Sequence, residues 1–138
     1  MKQLFSSILL IFLLPNTIWA HEINHVQVDV LAKTGSSWNG ETLPSYASGK
    51  PEITILKITI PPKTELALHK HPVINAGVLL KGELTLVTKE KQTLSLKAGD
   101  AIVEVVNRWH YGKNEGNKPA EIIVFYAGIQ DMPITVMK

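Results

Sequence analysis

The chain has 138 residues, the length of one domain, and 14 Lys and Arg against 12 Asp and Glu give it a formal net charge of +2. No large charged field and no arginine-rich patch is present to meet a phosphate backbone, which argues against nucleic acid as a partner. There is no cysteine, so disulfides, thiolate nucleophiles and thiolate metal ligands are excluded, and stability must come from a packed core.

The first element in chain order is a leader. Lys2 gives a positive start, residues 8–14 (ILLIFLL) are an unbroken apolar run, and Pro15 and Asn16 interrupt it before the small Ala20. The run is far short of the roughly 20 residues that span a bilayer. The pattern predicts a secretory signal peptide cleaved after Ala20, hence a periplasmic or secreted protein with no membrane attachment after cleavage. The leader takes one lysine and no acid with it, leaving a net charge of +1. His21 would then begin the chain. An amine and an imidazole on one residue can chelate copper, but an exposed tail is the preferred reading there.

Residues 21–50 are rich in Gly and Ser, with Pro44 among them, and hold one short apolar alternation, VQVDVLA at 26–32. This predicts an edge strand followed by an irregular arm lying across the body. From residue 51 onward the texture changes. Short segments rich in Ile, Val, Leu and Thr (EITILKITI, GVLL, ELTLVT, TLSL, AIVEVV, AEIIVFYAG) alternate with turn residues, and no stretch carries helical spacing. Many short strands at regular intervals predict an all-β antiparallel sandwich or barrel over residues 51–138.

Within LALHKH, period two sets Leu66 and Leu68 on one side and Ala67, His69 and His71 on the other. Two histidines on one strand face are equally a solvated pair or part of a site. The balance shifts further along, where AIVEVV leads into NRWHYGKN and delivers a third histidine, His110, beside Trp109. The two regions, HKHPVINAGVLLKG (69–82) and GDAIVEVVNRWHYGKN (99–114), together resemble the paired motifs of the cupin superfamily. His69, His71 and Gly82 match the first motif, and Gly99, His110 and Asn114 the second, over a region of roughly residues 50–128.

The resemblance implies a small antiparallel β-barrel of the double-stranded β-helix, or jelly-roll, type, with His69, His71 and His110 converging at its mouth on a divalent transition metal such as Zn, Fe, Ni, Mn or Cu. Two departures stand out. The family's Glu falls on Asn75, which leaves the centre near +2 and more open. The Pro-x-Gly turn is replaced by Val105, Val106 and Asn107, where Asn can still adopt a positive φ.

Four further residues are candidates for the site or its pocket. Glu104 could supply a carboxylate as base or distant ligand, although it shares a face with Ile102 and Val106, and an outer-wall position is the commoner one for a charged residue. Trp109 and Tyr111 flank His110 as rim aromatics or a stacking platform. Tyr126 could present its hydroxyl to the cavity, with core packing the stronger reading.

The leading functional reading is an exported binding module that holds a metal and a small organic anion or sugar. The alternatives are a metal-dependent enzyme (a three-histidine iron dioxygenase, an isomerase or a hydrolase) and a metal-free barrel, and a homodimer formed through sheet edges or the arm is compatible with each. An inward Glu104 would favour the enzyme.

Overall fold

The computed structural model describes residues 25–138, so the leader at 1–20 lies outside the described residues. Ten strands follow one another: β1 (Pro51–Ile60), β2 (Thr64–Glu65), β3 (His69–Lys70), β4 (Ile74–Lys81), β5 (Glu83–Thr88), β6 (Thr93–Lys97), β7 (Ala101–Val103), β8 (His110–Asn114), β9 (Ala120–Ile129) and β10 (Val136–Met137). No helix is present among the described residues.

The strands form two sheets. One has the order β1-β9-β4-β7; the other runs β10-β3-β8-β5-β6, with β2 pairing to β8. All pairings between named strands are antiparallel. β1 and β9 are in unbroken register from Pro51↔Ile129 to Ile60↔Ala120. Both are dense in β-branched and aromatic residues that suit a pleated, half-buried surface.

Period two decides which side chains meet between the sheets. In β9, Ala120, Ile122, Val124 and Tyr126 are buried, while Phe125 on the other face is 48% exposed. These residues pack with Ile60, Leu79, Leu84, Leu86, Leu96 and Ile102 into one core. Outside, Ile53 and Ile55 of β1 stand beside Phe125 as an exposed apolar row.

Two differences from the sequence reading concern the strands at 26–32 and 101–106. Residues 26–32 form no strand: Val26, Val28 and Val30 are 74–89% exposed and the segment pairs with nothing. Alternation confers a tendency to be a strand but supplies no partner edge. The arm folds on itself through a Ser36↔Thr42 bridge and joins the body through the Trp38 N–H donated to the Val103 carbonyl at 2.9 Å, with the Trp38 side chain packed against the core. The segment AIVEVV pairs as a strand only through Val103; beyond it the chain turns, and Val106 makes an isolated parallel bridge to His71.

Two turn residues hold the connection geometry. Asn107 has φ 57° and its N–H donates to the His71 carbonyl at 2.8 Å, so the substituted turn keeps its bend. Gly82, between β4 and β5, has φ 75°, and a Cβ there would lie 2.7 Å from the Pro119 carbonyl oxygen and 3.0 Å from Ala120 Cα. Both contacts are backbone and cannot rotate away. Gly82→Ala is therefore expected to lower unfolding free energy by about 3 kcal/mol, combining left-handed strain with a backbone clash. Chemical denaturation checks this; a loss under about 1 kcal/mol would contradict it.

Candidate metal centre

β3 and β8 carry the first two imidazoles. His69 and His110 are directly opposed across these strands, and their rings lie 4.6 Å apart between centroids. His71, just past β3, closes the group with centroids 5.0 Å from His69 and 5.1 Å from His110. One potential ligand nitrogen from each of the three lies within 4.8 Å of the others.

The other ring nitrogen of each histidine is anchored by the backbone. Nδ1 lies 2.7 Å from the Ala67 carbonyl in His69, 2.8 Å from the Ile134 carbonyl in His71 and 2.9 Å from the Arg108 carbonyl in His110. A carbonyl only accepts, so each Nδ1 carries the proton and each Nε2 presents a lone pair. The Thr135 hydroxyl oxygen, 3.2 Å from His71 Nδ1, offers that nitrogen a second acceptor. This is the outer arrangement that fixes tautomer and ring orientation in metal-binding histidines.

Burial keeps the three rings neutral. Desolvation lowers the pKa of His69 and His110, and it brings His71 down to about 4 against the opposing effect of its bond to Ile134. Neutral imidazole is the ligating form, so the group is ready for a cation without losing a proton first.

The histidines sit at one end of a cavity of about 290 Å³ between the two sheets. Its walls are mostly apolar, with Leu56, Ile58, Leu84, Leu86, Ile122 and Val124 among them. No lysine or arginine lines it.

Asn75, on the inner face of β4, is 1% exposed. Its Nδ2 donates a long 3.4 Å bond to the Val73 carbonyl, and its Oδ1 has no hydrogen-bond partner. A buried amide oxygen left without a donor in a cavity wall suits a ligand or cation.

Glu104 is the main correction to the sequence reading. It does share a face with Ile102, but that face is the inner one: Ile102 is 3% and Glu104 7% exposed, and both line the cavity. The Glu104 Oε2 lies 3.7 Å from His110 Nε2 and accepts the Val105 N–H at 3.2 Å. Desolvation raises this carboxyl to about 7, against smaller lowering effects from the Val105 N–H, Trp38 and His69. The buried Trp38 indole N–H influences it from the arm without reaching hydrogen-bonding geometry.

Tyr126 lines the cavity with its ring 5.3 Å from that of His71. Burial and the Glu104 charge push its hydroxyl up to about 12, keeping it protonated. Trp109 and Tyr111 do not line the cavity. They flank the inward His110, so alternation along β8 directs them away, and the Lys70 Nζ lies 5.1 Å over the Trp109 ring on that outer side. The expectation that they form part of the pocket is corrected.

Trp38, Ile134 and Thr135 were missed from the sequence. A tryptophan in a Gly- and Ser-rich arm was the available signal for the first; the backbone role of Ile134 leaves no side-chain signature. Asn114 proves structural. Its Nδ2 lies 2.8–3.1 Å from the carbonyls of Ile60, Pro61 and Lys118, and its Oδ1 accepts the Gly116 N–H.

Comparison with known proteins agrees with this architecture. A DMSP lyase, DddQ from Ruegeria pomeroyi, superposes with TM-score 0.55 at 17% identity over 62% of this chain and 43% of its own. An oxalate decarboxylase from Lactobacillus farciminis, solved as a formate complex, gives 0.53 at 21% over 62% of this chain and 26% of its own. The chain thus spans under half the length of either enzyme. An uncharacterised double-stranded β-helix protein from Klebsiella pneumoniae gives 0.55 at 17%, with 82% of this chain and 97% of that one covered. No curated protein sequence matches the chain. The family model for the cupin domain matches residues 56–126, and with two antiparallel sheets enclosing a three-histidine cluster the chain belongs to the cupin family.

Proposed function

We propose that the protein holds one divalent transition-metal ion on His69, His71 and His110 and binds a small organic molecule in the adjoining cavity. The observation that carries this is the set of three Nδ1 anchors, which leave three Nε2 lone pairs directed to one place. The donor set of neutral imidazoles and oxygens fits Zn, Fe, Ni, Mn or Cu. A bound ion supplies Lewis acidity toward an oxygen or nitrogen head group.

The walls narrow the ligand. Sugars need many hydrogen-bonding partners, which the mostly apolar walls do not offer, and with no lysine or arginine in the lining the bound ion is the one cation available to an anionic head group. A compact, largely apolar molecule with one polar head matches an apolar chamber whose polar groups gather at one end. At about 290 Å³ the space lies at the small end of ligand sites, roughly 300–1,000 Å³.

The inward Glu104 supports a second reading, in which the centre is an enzyme and this carboxyl, raised to about 7 beside His110, accepts a proton from the ligand. Export to the periplasm or beyond belongs to the same proposal on the strength of the leader-like residues 1–20. The exposed row of Ile53, Ile55 and Phe125 supports pairing of two copies.

Elemental analysis of untagged protein purified without added metal tests the centre. Close to one transition-metal ion per chain is expected, and the ion found narrows the chemistry. Trace metal that added Zn, Mn or Fe does not raise to a defined stoichiometry would leave a metal-free barrel.

A further inference from the structure

We infer that Glu104 is the fourth protein ligand of the metal centre, standing one strand away from the position where the family motif places its carboxylate. The inference rests on the reading of His69, His71 and His110 as ligands, and it is carried by geometry.

Two donors each about 2.1 Å from a tetrahedral ion are about 3.4 Å apart. Glu104 Oε2 and His110 Nε2 are 3.7 Å apart, close to the spacing of two ligands on one ion. The 4.8 Å group of ligand atoms comprises the three histidines alone, so ligation requires the Glu104 side chain to swing from His110 toward the other two rings.

In this setting the group is held as an anion only beside a cation, and otherwise keeps its proton. It is 7% exposed, it accepts one backbone N–H at 3.2 Å, and no lysine or arginine lines its cavity. Buried carboxylates are paired with charge or bound to metal, because desolvation of the anion is otherwise uncompensated. The one place where the described structure gathers donors for a cation is beside it.

Position completes the argument. β4 and β7 pair in register at Ala76↔Val103, and just beyond, the Glu104 N–H donates to the Asn75 carbonyl at 3.1 Å. Asn75 and Glu104 are therefore neighbours across two strands, and both side chains line the cavity. The anion missing at 75 is present at 104. The centre is thus a three-histidine, one-carboxylate site with net charge near +1, and the unpartnered Asn75 Oδ1 remains as an acceptor for the ligand's polar head or a water.

The test is titration of apo protein with Co2+, read by its visible d–d absorption and by competition with a chelator, for the wild type, Glu104→Gln, Asn75→Glu with Glu104→Gln, and His110→Ala. Circular dichroism and a cooperative melt establish that each variant is folded. Glu104→Gln is expected to bind Co2+ about 100-fold more weakly or worse, since loss of a ligand exceeds the 10–100-fold typical of outer partners. The double variant is expected to recover to within about tenfold of wild type, as its carboxylate reaches the ion from β4. If Glu104→Gln binds within a few-fold of wild type while His110→Ala does not, Glu104 is not a ligand, although the histidine centre stands. Failure of the double variant to recover would overturn the equivalence of positions 75 and 104. No saturable binding by the wild type would overturn the histidine centre itself.

Discussion

Replacing His69 and His110 together by alanine is expected to reduce bound metal to trace and to remove all metal-dependent stabilisation. A ligand at 100 times its dissociation constant stabilises the folded state by about 2.7 kcal/mol, which for a domain of this size raises the melting midpoint by on the order of 10 °C. Wild type should show that rise on addition of Zn2+, and the double variant none. The comparison must be made within each protein, with and without metal. His110 is 1% exposed and donates to the Arg108 carbonyl, so its truncation leaves a void and an unpaired acceptor that weaken even the apo form. An equal metal-induced shift in both proteins, seen by differential scanning calorimetry, would contradict the assignment of these two residues.

A second large effect is expected in the apo protein as a function of pH. The Glu104 carboxyl has its pKa raised from 4.5 to about 7 by burial, so its contribution to stability is fully present below 4.5 and is lost as pH rises through about 7. The loss amounts to about 3 kcal/mol once the group is charged. Glu104→Gln keeps the shape and does not titrate. Relative to wild type, apo Glu104→Gln should gain about 3 kcal/mol between about pH 4.5 and pH 8.

The histidines act in the opposite sense over much of that window. His71, lowered to about 4, withholds a proton that the unfolded chain accepts near 6.5, so stability falls as pH drops below that value. In wild type the two trends offset each other and the profile is shallow. In Glu104→Gln the histidine trend stands alone, and stability should decline visibly from about pH 6.5 downward. Urea denaturation of chelator-treated protein across this range measures both; parallel profiles for the two proteins would exclude an inward, desolvated carboxyl.

The strands from residue 51 onward were legible because their face pattern is local: alternation in EITILKITI and AEIIVFYAG reports burial on one side of each strand. The motif histidines were legible for the same reason, as spacing along one strand sets a shared face. Parity, however, says which residues travel together and not which side they take. Glu104 was grouped correctly with Ile102, and only the packing of Ile102 against the core shows that both point inward. Applied to His110, the same rule would have turned Trp109 and Tyr111 outward at once. The arm resisted sequence reasoning because its contacts are isolated ones, a backbone bond from Trp38 to Val103 and an ion pair between Glu41 and Arg108, and no period announces them. Strand-like residues at 26–32 found no edge, since pairing is a property of two segments and the sequence of one contains half of it.

The three anchoring carbonyls carry a consequence for how the protein can vary. Ala67, Arg108 and Ile134 orient the imidazoles through groups that every amino acid possesses, proline included. Side chains at these positions can drift without releasing the proton from Nδ1 or turning a ring. A centre oriented by carboxylates or amides would be exposed to single substitutions at each support. Here the tautomers depend on the path of the backbone, so insertions or deletions that displace the chain near residues 67, 108 or 134 threaten the centre more than changes of residue type there. Variants that alter the cavity walls can therefore accumulate around an undisturbed set of ligands, leaving the fold free to change what it holds while keeping how it holds a metal.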